Sequence, residues 1–176
     1  MTKTSWVSSK LEIKTAGRKG MGTFTSSFIK KDEILIVQGG VIAAADLFRN
    51  PQFDAIAYHC FQVERDVYIC PLDHRKETAD GVFLVNHSCN PTCGFRGQIT
   101  LVSRRDLMPG DEVTYDYAMT DVGVAEEKWL AMKCFCGSTN CRKFITGDDW
   151  EIPDLQKNYQ GYFSTYVQAV IDAKHH

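Results

Sequence analysis

Apolar positions in the first 117 residues come in short runs broken by Gly, Asp and Lys, too short for helices and rich in β-branched side chains. Leu11-Glu12-Ile13-Lys14 alternates as a strand. Thr23 to Phe28, Glu33 to Val37 and Val41 to Ala44 read as further strands, separated by turns at Lys30-Lys31-Asp32 and Gly39-Gly40. Residues 46–57 suit a short helix interrupted by Pro51, with Phe48, Phe53 and Ile56 as its apolar content. Cys60 to Val63 and Val67 to Cys70 flank a Glu64-Arg65-Asp66 turn, and Phe95 and Ile99 to Val102 form a hairpin around Gly97. After a turn over Met108 to Glu112, Val113, Tyr115 and Tyr117 alternate with Thr114 and Asp116, predicting a strand with two phenols on one face. Helical spacing appears only late. Residues 120–132 predict a helical connector with Trp129, Leu130 and Met132 as its apolar side, and Pro153 opens a final helix whose stripe runs from Leu155 through Tyr159, Tyr162, Phe163, Tyr166 and Val167 to Ile171, weakened by Gly161. The fold class is mainly β (α+β).

Four stretches carry chemistry. Asn86-His87-Ser88-Cys89-Asn90-Pro91 follows Val82-Phe83-Leu84-Val85 directly, so polar side chains enter a core where each needs a partner. Tyr115 and Tyr117 bring two hydroxyls to one space. Ala16-Gly17-Arg18-Lys19-Gly20-Met21-Gly22 is a loop whose glycines let the backbone approach a ligand closely, without the Lys-Ser/Thr ending of a phosphate-binding loop. Cys134, Cys136 and Cys141, with Gly137 in a turn, place three thiolates within reach of one ion, one short of a closed tetrahedral zinc site. Cys89 and Cys93 compete for the fourth place; Cys60 and Cys70 read as packed core thiols.

The chain has 176 residues, 44% of them hydrophobic, enough for one domain with a real core. Seven cysteines, an odd number with four in motifs, favour metal binding over a disulfide framework and over a redox pair, which needs Cys-x-x-Cys near a helix start. No apolar run suits a membrane span or signal segment, so a soluble, intracellular protein, cytoplasmic or nuclear, is expected. A net charge of −2 argues against direct nucleic-acid binding. The charge is unevenly spread. Residues 1–31 hold seven Lys or Arg against Glu12, while residues 46–80 hold seven acids against four basic residues, a stretch suited to attracting a basic peptide.

In this order, the Gly-x-Gly loop, the Asn86 to Pro91 segment, Tyr115-Asp116-Tyr117 and Cys134-Phe135-Cys136-Gly137 with Cys141 resemble the SET-domain protein lysine methyltransferases with their zinc-binding post-SET segment, over roughly Leu11 to Trp150. The resemblance implies several small β-sheets with the Asn86 segment threaded as a pseudoknot. It implies a SET domain over residues 1–120 with a variable insert at 46–80, a post-SET segment at 121–150, and a C-terminal helix at 151–174 docked on the core. S-adenosylmethionine is the expected methyl donor, held by Lys19, Gly20, Met21, Gly22, Asn86, His87 and Tyr117, with Phe135 and Phe144 flanking its adenine. Tyr117 is the expected catalytic tyrosine, Tyr115 limits the product state to mono- or dimethylation, and Tyr58 lines the lysine channel. One structural zinc ion is expected on Cys89, Cys134, Cys136 and Cys141, pinning the post-SET segment as a lid. The implied partner is a basic protein or peptide carrying a target lysine, histone or otherwise, with no membrane. A noncatalytic zinc-stabilised peptide-binding module is the alternative. Gln38-Gly39-Gly40 departs from the aromatic and acid usual near that turn, and Lys143 from the usual small residue after Cys141-Arg142.

Overall fold

A computed structural model describes residues 4–50, 59–71, 80–123 and 132–175. Thirteen strands are present among them: β1 (Trp6–Val7), β2 (Leu11–Thr15), β3 (Met21–Thr25), β4 (Ile34–Val37), β5 (Val41–Ala44), β6 (Phe61–Glu64), β7 (Val67–Cys70), β8 (Asn86–His87), β9 (Cys93–Arg96), β10 (Thr100–Ser103), β11 (Glu112–Tyr115), β12 (Met132–Lys133) and β13 (Phe144–Ile145). Two α-helices follow, α1 (Pro153–Asn158) and α2 (Thr165–Lys174). The strands form small sheets ordered β1-β4-β10-β9, β2-β3-β11-β8, β5-β7-β6 and β12-β13. Short strands are what the short apolar runs dictate, since each run buries one face and then meets a turn residue.

The shared core lies where the first two sheets and the C-terminal helices meet. Ile29, Leu35, Ile36, Phe95, Leu101, Leu107 and Met119 are fully buried, and Leu155, Tyr159, Phe163, Val167 and Ile171 join the same cluster. The segment that positions the site is β8, which pairs in parallel with β11, setting Asn86 opposite Thr114 and His87 opposite Tyr115. Just beyond it, the buried Thr92 hydroxyl donates 2.9 Å to the Glu112 carbonyl and accepts at 2.9 Å from Thr114 N–H, so the polar run finds the partners its burial demands.

Some expected boundaries are corrected. β3 starts at Met21 and ends at Thr25, because Met21 and Gly22 pair with Thr15 and Lys14 while Ser26 to Phe28 leave the sheet. The tyrosine strand stops at Tyr115: the Asp116 carboxylate accepts from Ala118 N–H at 3.1 Å and turns the chain into a 3-10 turn at Tyr117–Met119. Met132, expected in a helix, is in β12 paired with Ile145, and residues 120–123 at the expected helix start are not helical; 124–131, with Trp129 and Leu130, lie outside the described residues. The final helix is two, because Gly161 takes a positive φ of 79° and the chain turns before the Ser164 hydroxyl, which accepts from Val167 N–H, caps α2. Of the expected 46–57 helix, Ala45–Arg49 is a 3-10 turn and 51–58 lie outside the described residues.

Candidate functional site

Two neighbouring sites assemble around β8 and β11. In the first, the expected tyrosines converge: the Tyr115 and Tyr117 ring centroids are 5.0 Å apart, although only Tyr115 is on the strand. Phe95 packs edge-on against Tyr115 at 5.2 Å, and the His87 ring against Tyr117 at the same distance. Burial raises both phenol pKa values, Tyr117 adding to the effect at Tyr115 and Asp121 at Tyr117, so both hydroxyls keep their protons at neutral pH. His87 Nδ1 accepts from Tyr117 N–H at 3.3 Å, which leaves the proton of the neutral ring on Nε2, 3.4 Å from Cys89 Sγ. Burial, and to a lesser degree the Arg142 charge, hold His87 near pKa 4 against the pull of Asp116. His87 thus ties the tyrosine turn to a cysteine and is neutral at pH 7.

The glycine loop closes one side. Gly22 lies so near Asn86 that a Cβ would sit 2.6 Å from its Nδ2, hence glycine. Asn86 Nδ2 donates 3.0 Å to the Met21 carbonyl and 3.0 Å to Glu112 Oε1, and Glu112 also pairs with the Lys19 ammonium. Lys19, Met21, Gly22 and Asn86 are therefore together, and Glu112 is a member that sequence reasoning missed; its only signal was a charged residue opening the tyrosine strand. Gly20 stands in the same loop with φ of 82°.

The second site is the cysteine cluster. Sγ atoms of Cys89, Cys134, Cys136 and Cys141 all lie within 4.8 Å of one another. Cys89 and Cys134 are 3.8 Å apart, the edge of a tetrahedron with metal–sulfur bonds of ~2.3 Å. Backbone N–H groups of Arg142, Cys136 and Lys143 point at Cys89, Cys134 and Cys141 sulfurs from 3.4, 3.5 and 3.4 Å, the setting of thiolates. Burial pushes Cys89 up to about 11, whereas at Cys136 hydrogen bonds led by the Ser138 hydroxyl outweigh burial and bring the thiol down to about 6. Four sulfurs this close together suit a cation that takes all four as thiolates. Cys93 is fully buried outside the cluster, its thiol pushed up to about 12 by burial, which resolves the choice of fourth sulfur in favour of Cys89. Cys70 is buried, and the Cys60 thiol beside it is raised first by their hydrogen bond, then by burial.

Phe135 and Phe144 stand 44% and 58% exposed at the β12–β13 ribbon. Arg18 of the glycine loop lies over the Phe135 ring at 5.8 Å, bringing loop and cysteine segment together. Beneath them runs a network the sequence did not announce. Arg142 donates to both Asp116 oxygens at 2.6 and 2.8 Å and to Asp149 at 2.9 Å. The Tyr159 hydroxyl of the C-terminal segment donates 2.9 Å to Asp116, and Asn140 Nδ2 donates 3.0 Å to the Cys89 carbonyl. One buried carboxylate between the two tyrosines thus joins β11, the cysteine segment and the C-terminal helices. Tyr58, and Asp54, Asp73 and Glu77 of the acidic stretch at 46–80, lie outside the described residues.

Comparison with known proteins agrees with this geometry. The SET domain family model matches residues 20–118. Histone-lysine N-methyltransferase ASHH2 of Arabidopsis thaliana is 28% identical over 151 residues, covering 79% of this chain and 8% of that protein. An H3 lysine-36 specific histone-lysine N-methyltransferase of Cryptococcus neoformans is 29% identical over 149 residues, 78% of this chain and 17% of that protein. The chain therefore spans less than a fifth of these relatives. Among solved structures, the methyltransferase domain of human SETMAR superposes with a TM-score of 0.58 at 20% identity, covering 81% of this chain and 60% of that one. Arabidopsis thaliana SUVH6 in complex with SAM gives 0.59 at 17%, covering 78% and 33%. At these identities the structures speak for the fold.

Proposed function

The chain belongs to the SET-domain family, and from that premise we propose that it is a protein-lysine N-methyltransferase using S-adenosylmethionine, acting on a basic protein such as a histone and delivering mono- or dimethyllysine. The observation that carries this is the joining, by one short parallel pairing, of the glycine-loop cradle to the tyrosine pair.

The donor supplies a methyl group on a sulfonium. Lys19 and Glu112, paired with each other here, offer charges of opposite sign suited to the carboxylate and ammonium of its amino-acid part, Asn86 beside them offers a neutral amide, and Phe135 and Phe144 flank its adenine. Tyr117 orients the incoming amine and the methyl group through its hydroxyl. Transfer needs a neutral amine, which for a lysine of pKa about 10.4 costs roughly 4.6 kcal/mol at pH 7 in water. A buried aromatic pair lowers that cost by disfavouring the ammonium. The proton leaves to water first; the Nζ lone pair then forms the N–C bond as the C–S bond breaks, the sulfonium becoming a neutral thioether and the amine a methylammonium. His87, neutral and engaged on both ring nitrogens, holds the site together and does not move the proton. Tyr58 remains the proposed third wall of the lysine channel. The four cysteines are proposed to hold one structural zinc ion, which fixes the cysteine segment against β8.

Calorimetric binding of S-adenosylmethionine, followed by transfer of a labelled methyl group to core histones and other basic proteins, tests the reading. Donor binding with label on lysine is expected. A protein that binds basic peptides but neither donor nor label would be the noncatalytic zinc-stabilised module.

A further inference from the structure

We propose that Tyr159 is a positioning residue for methyl transfer: its hydroxyl steadies the Asp116 carboxylate, and through that carboxylate the turn that presents Tyr117. The inference rests on the methyltransferase reading above. Tyr159 lies well beyond residues 20–118, where the SET domain model matches.

Asp116 is fully buried between the two tyrosines, and its oxygens have separate tasks. Oδ1 accepts from Ala118 N–H at 3.1 Å, the bond that caps the Tyr117–Met119 turn, and from Arg142 Nη2 at 2.8 Å. Oδ2 accepts from Arg142 Nη1 at 2.6 Å and from the Tyr159 hydroxyl at 2.9 Å. Arg142 shares its guanidinium with Asp149 and belongs to the cysteine segment, so by itself it would let the carboxylate follow that segment. The Tyr159 bond ties the second oxygen to a different body, the C-terminal helices. A charge-assisted bond in a buried site is strong and directional. The Cys89 carbonyl also lies 3.4 Å from the phenol oxygen, but the single proton goes to the shorter bond on the carboxylate. Burial, and next the Asp116 charge, hold that phenol protonated and therefore a donor.

Tyr159 is itself firmly held. It is 3% exposed at the end of α1, with its N–H on the Leu155 carbonyl at 2.9 Å. The Arg104 guanidinium lies over its ring at 4.7 Å and donates to the Pro91 carbonyl at 3.1 Å and the Asn158 carbonyl at 2.8 Å, which locks α1 against the end of the Asn86 to Pro91 run. Farther on, the Tyr162 carbonyl accepts from Phe95 N–H at 2.9 Å, and Ser164 N–H donates to the Met119 carbonyl at 2.8 Å. The C-terminal segment thus grips the ring neighbour of Tyr115 and the last residue of the Tyr117 turn, while the Tyr159 hydroxyl reaches the carboxylate that caps that turn. Without the hydroxyl, Asp116 keeps its ion pair but gains freedom to turn about its Cβ–Cγ bond, which weakens the cap on Ala118. Tyr117 then spends less time at the angle where its hydroxyl meets amine and methyl group, and the loss falls on the chemical step instead of on binding.

Tyr159→Phe keeps the ring under Arg104 and removes the donor. Well below the melting temperature, on whichever basic substrate the wild type labels best, the single-turnover rate of methyl transfer should fall about fivefold, the size of one net hydrogen bond. S-adenosylmethionine affinity and substrate KM should stay unchanged. The Ala118 amide resonance should shift as its hydrogen bond lengthens, while that of Val102 in β10 keeps its place. In a Tyr117→Phe background Tyr159→Phe should add nothing, since it acts through that hydroxyl. Tyr162→Phe, which loses a more exposed bond to Asp32 from the same segment, should leave the rate as it is. A Tyr159→Phe rate equal to wild type, an unmoved Ala118 resonance, a matching loss in Tyr162→Phe, or the same fivefold loss in both Tyr117 backgrounds overturns the proposal, the last because a purely structural role acts alike in both. A wild type that labels no lysine overturns the methyltransferase reading and this inference with it.

Discussion

Tyr117 carries the most chemical weight of any single side chain. Tyr117→Phe keeps the ring packed on His87 and Tyr115 and removes only the hydroxyl. The expected loss is ~10²-fold or more in turnover with donor affinity kept, as for other preorganised oxygen or nitrogen groups at a reacting centre, and single-turnover rates check it. Tyr115→Phe should move products toward higher methylation, read by mass spectrometry; trimethyllysine already dominant in the wild type would contradict the role assigned to Tyr115. Asp121 gives a stability test separate from catalysis. Its folded pKa, raised by burial to about 6, lies above the unfolded 3.8, so its stabilising contribution is complete below about 4 and is lost as pH rises through 6. The melting temperature of Asp121→Asn relative to wild type should therefore climb between those pH values and then level off. At this scale the sequence was informative where a residue type is chemically unusual. Asn86, the tyrosine pair and Gly22 stood out as polar or bare positions in apolar surroundings. Glu112 and Asp121 did not, because an acid at a strand end or turn looks the same whether it is solvated or buried.

Among elements, the deciding one is the pairing of β8 with β11, held together from below by Arg142. Its bidentate bond to a fully buried Asp116 gives the carboxylate its charge partner. Arg142→Leu would leave that carboxylate uncompensated and should cost about 3–5 kcal/mol, seen as a fall of roughly 6–20 °C in melting temperature. Tyr159→Phe, which loses one hydrogen bond to the same carboxylate, should cost about 1 kcal/mol. The strands of four or five residues were legible from period and turn residues, and so was the apolar stripe near the C-terminus, whereas the two-residue strands β1, β8, β12 and β13 are too short to show a period. The ends of elements were not legible. Asp116 stops the tyrosine strand by capping a turn, and Gly161 splits the last helix by a positive φ; both are side-chain or backbone events that a hydrophobic period does not record.

Over the whole molecule, the cysteine cluster joins the C-terminal third to the tyrosine site, since Cys89 lies two residues beyond β8 and the other three sulfurs come from residues 134–141. Chelation should release one equivalent of a divalent metal and expose four additional thiols to a titrant, with loss of donor binding; loss of metal with donor binding intact would remove the lid role. The triplet of cysteines was legible by spacing, and the fourth came from a family resemblance, which the geometry meets. No helix among the described residues is long and apolar enough to cross a membrane. The central claim is that this assembly transfers a methyl group through Tyr117. Its most direct measurement is incorporation of label from S-adenosylmethionine into lysine of a basic protein by wild type and by Tyr117→Phe, with donor affinity determined for both. Lysine labelling by the wild type and its near-abolition in Tyr117→Phe at equal donor affinity is the predicted result; labelling that persists in the variant, or donor binding absent from both, would contradict it.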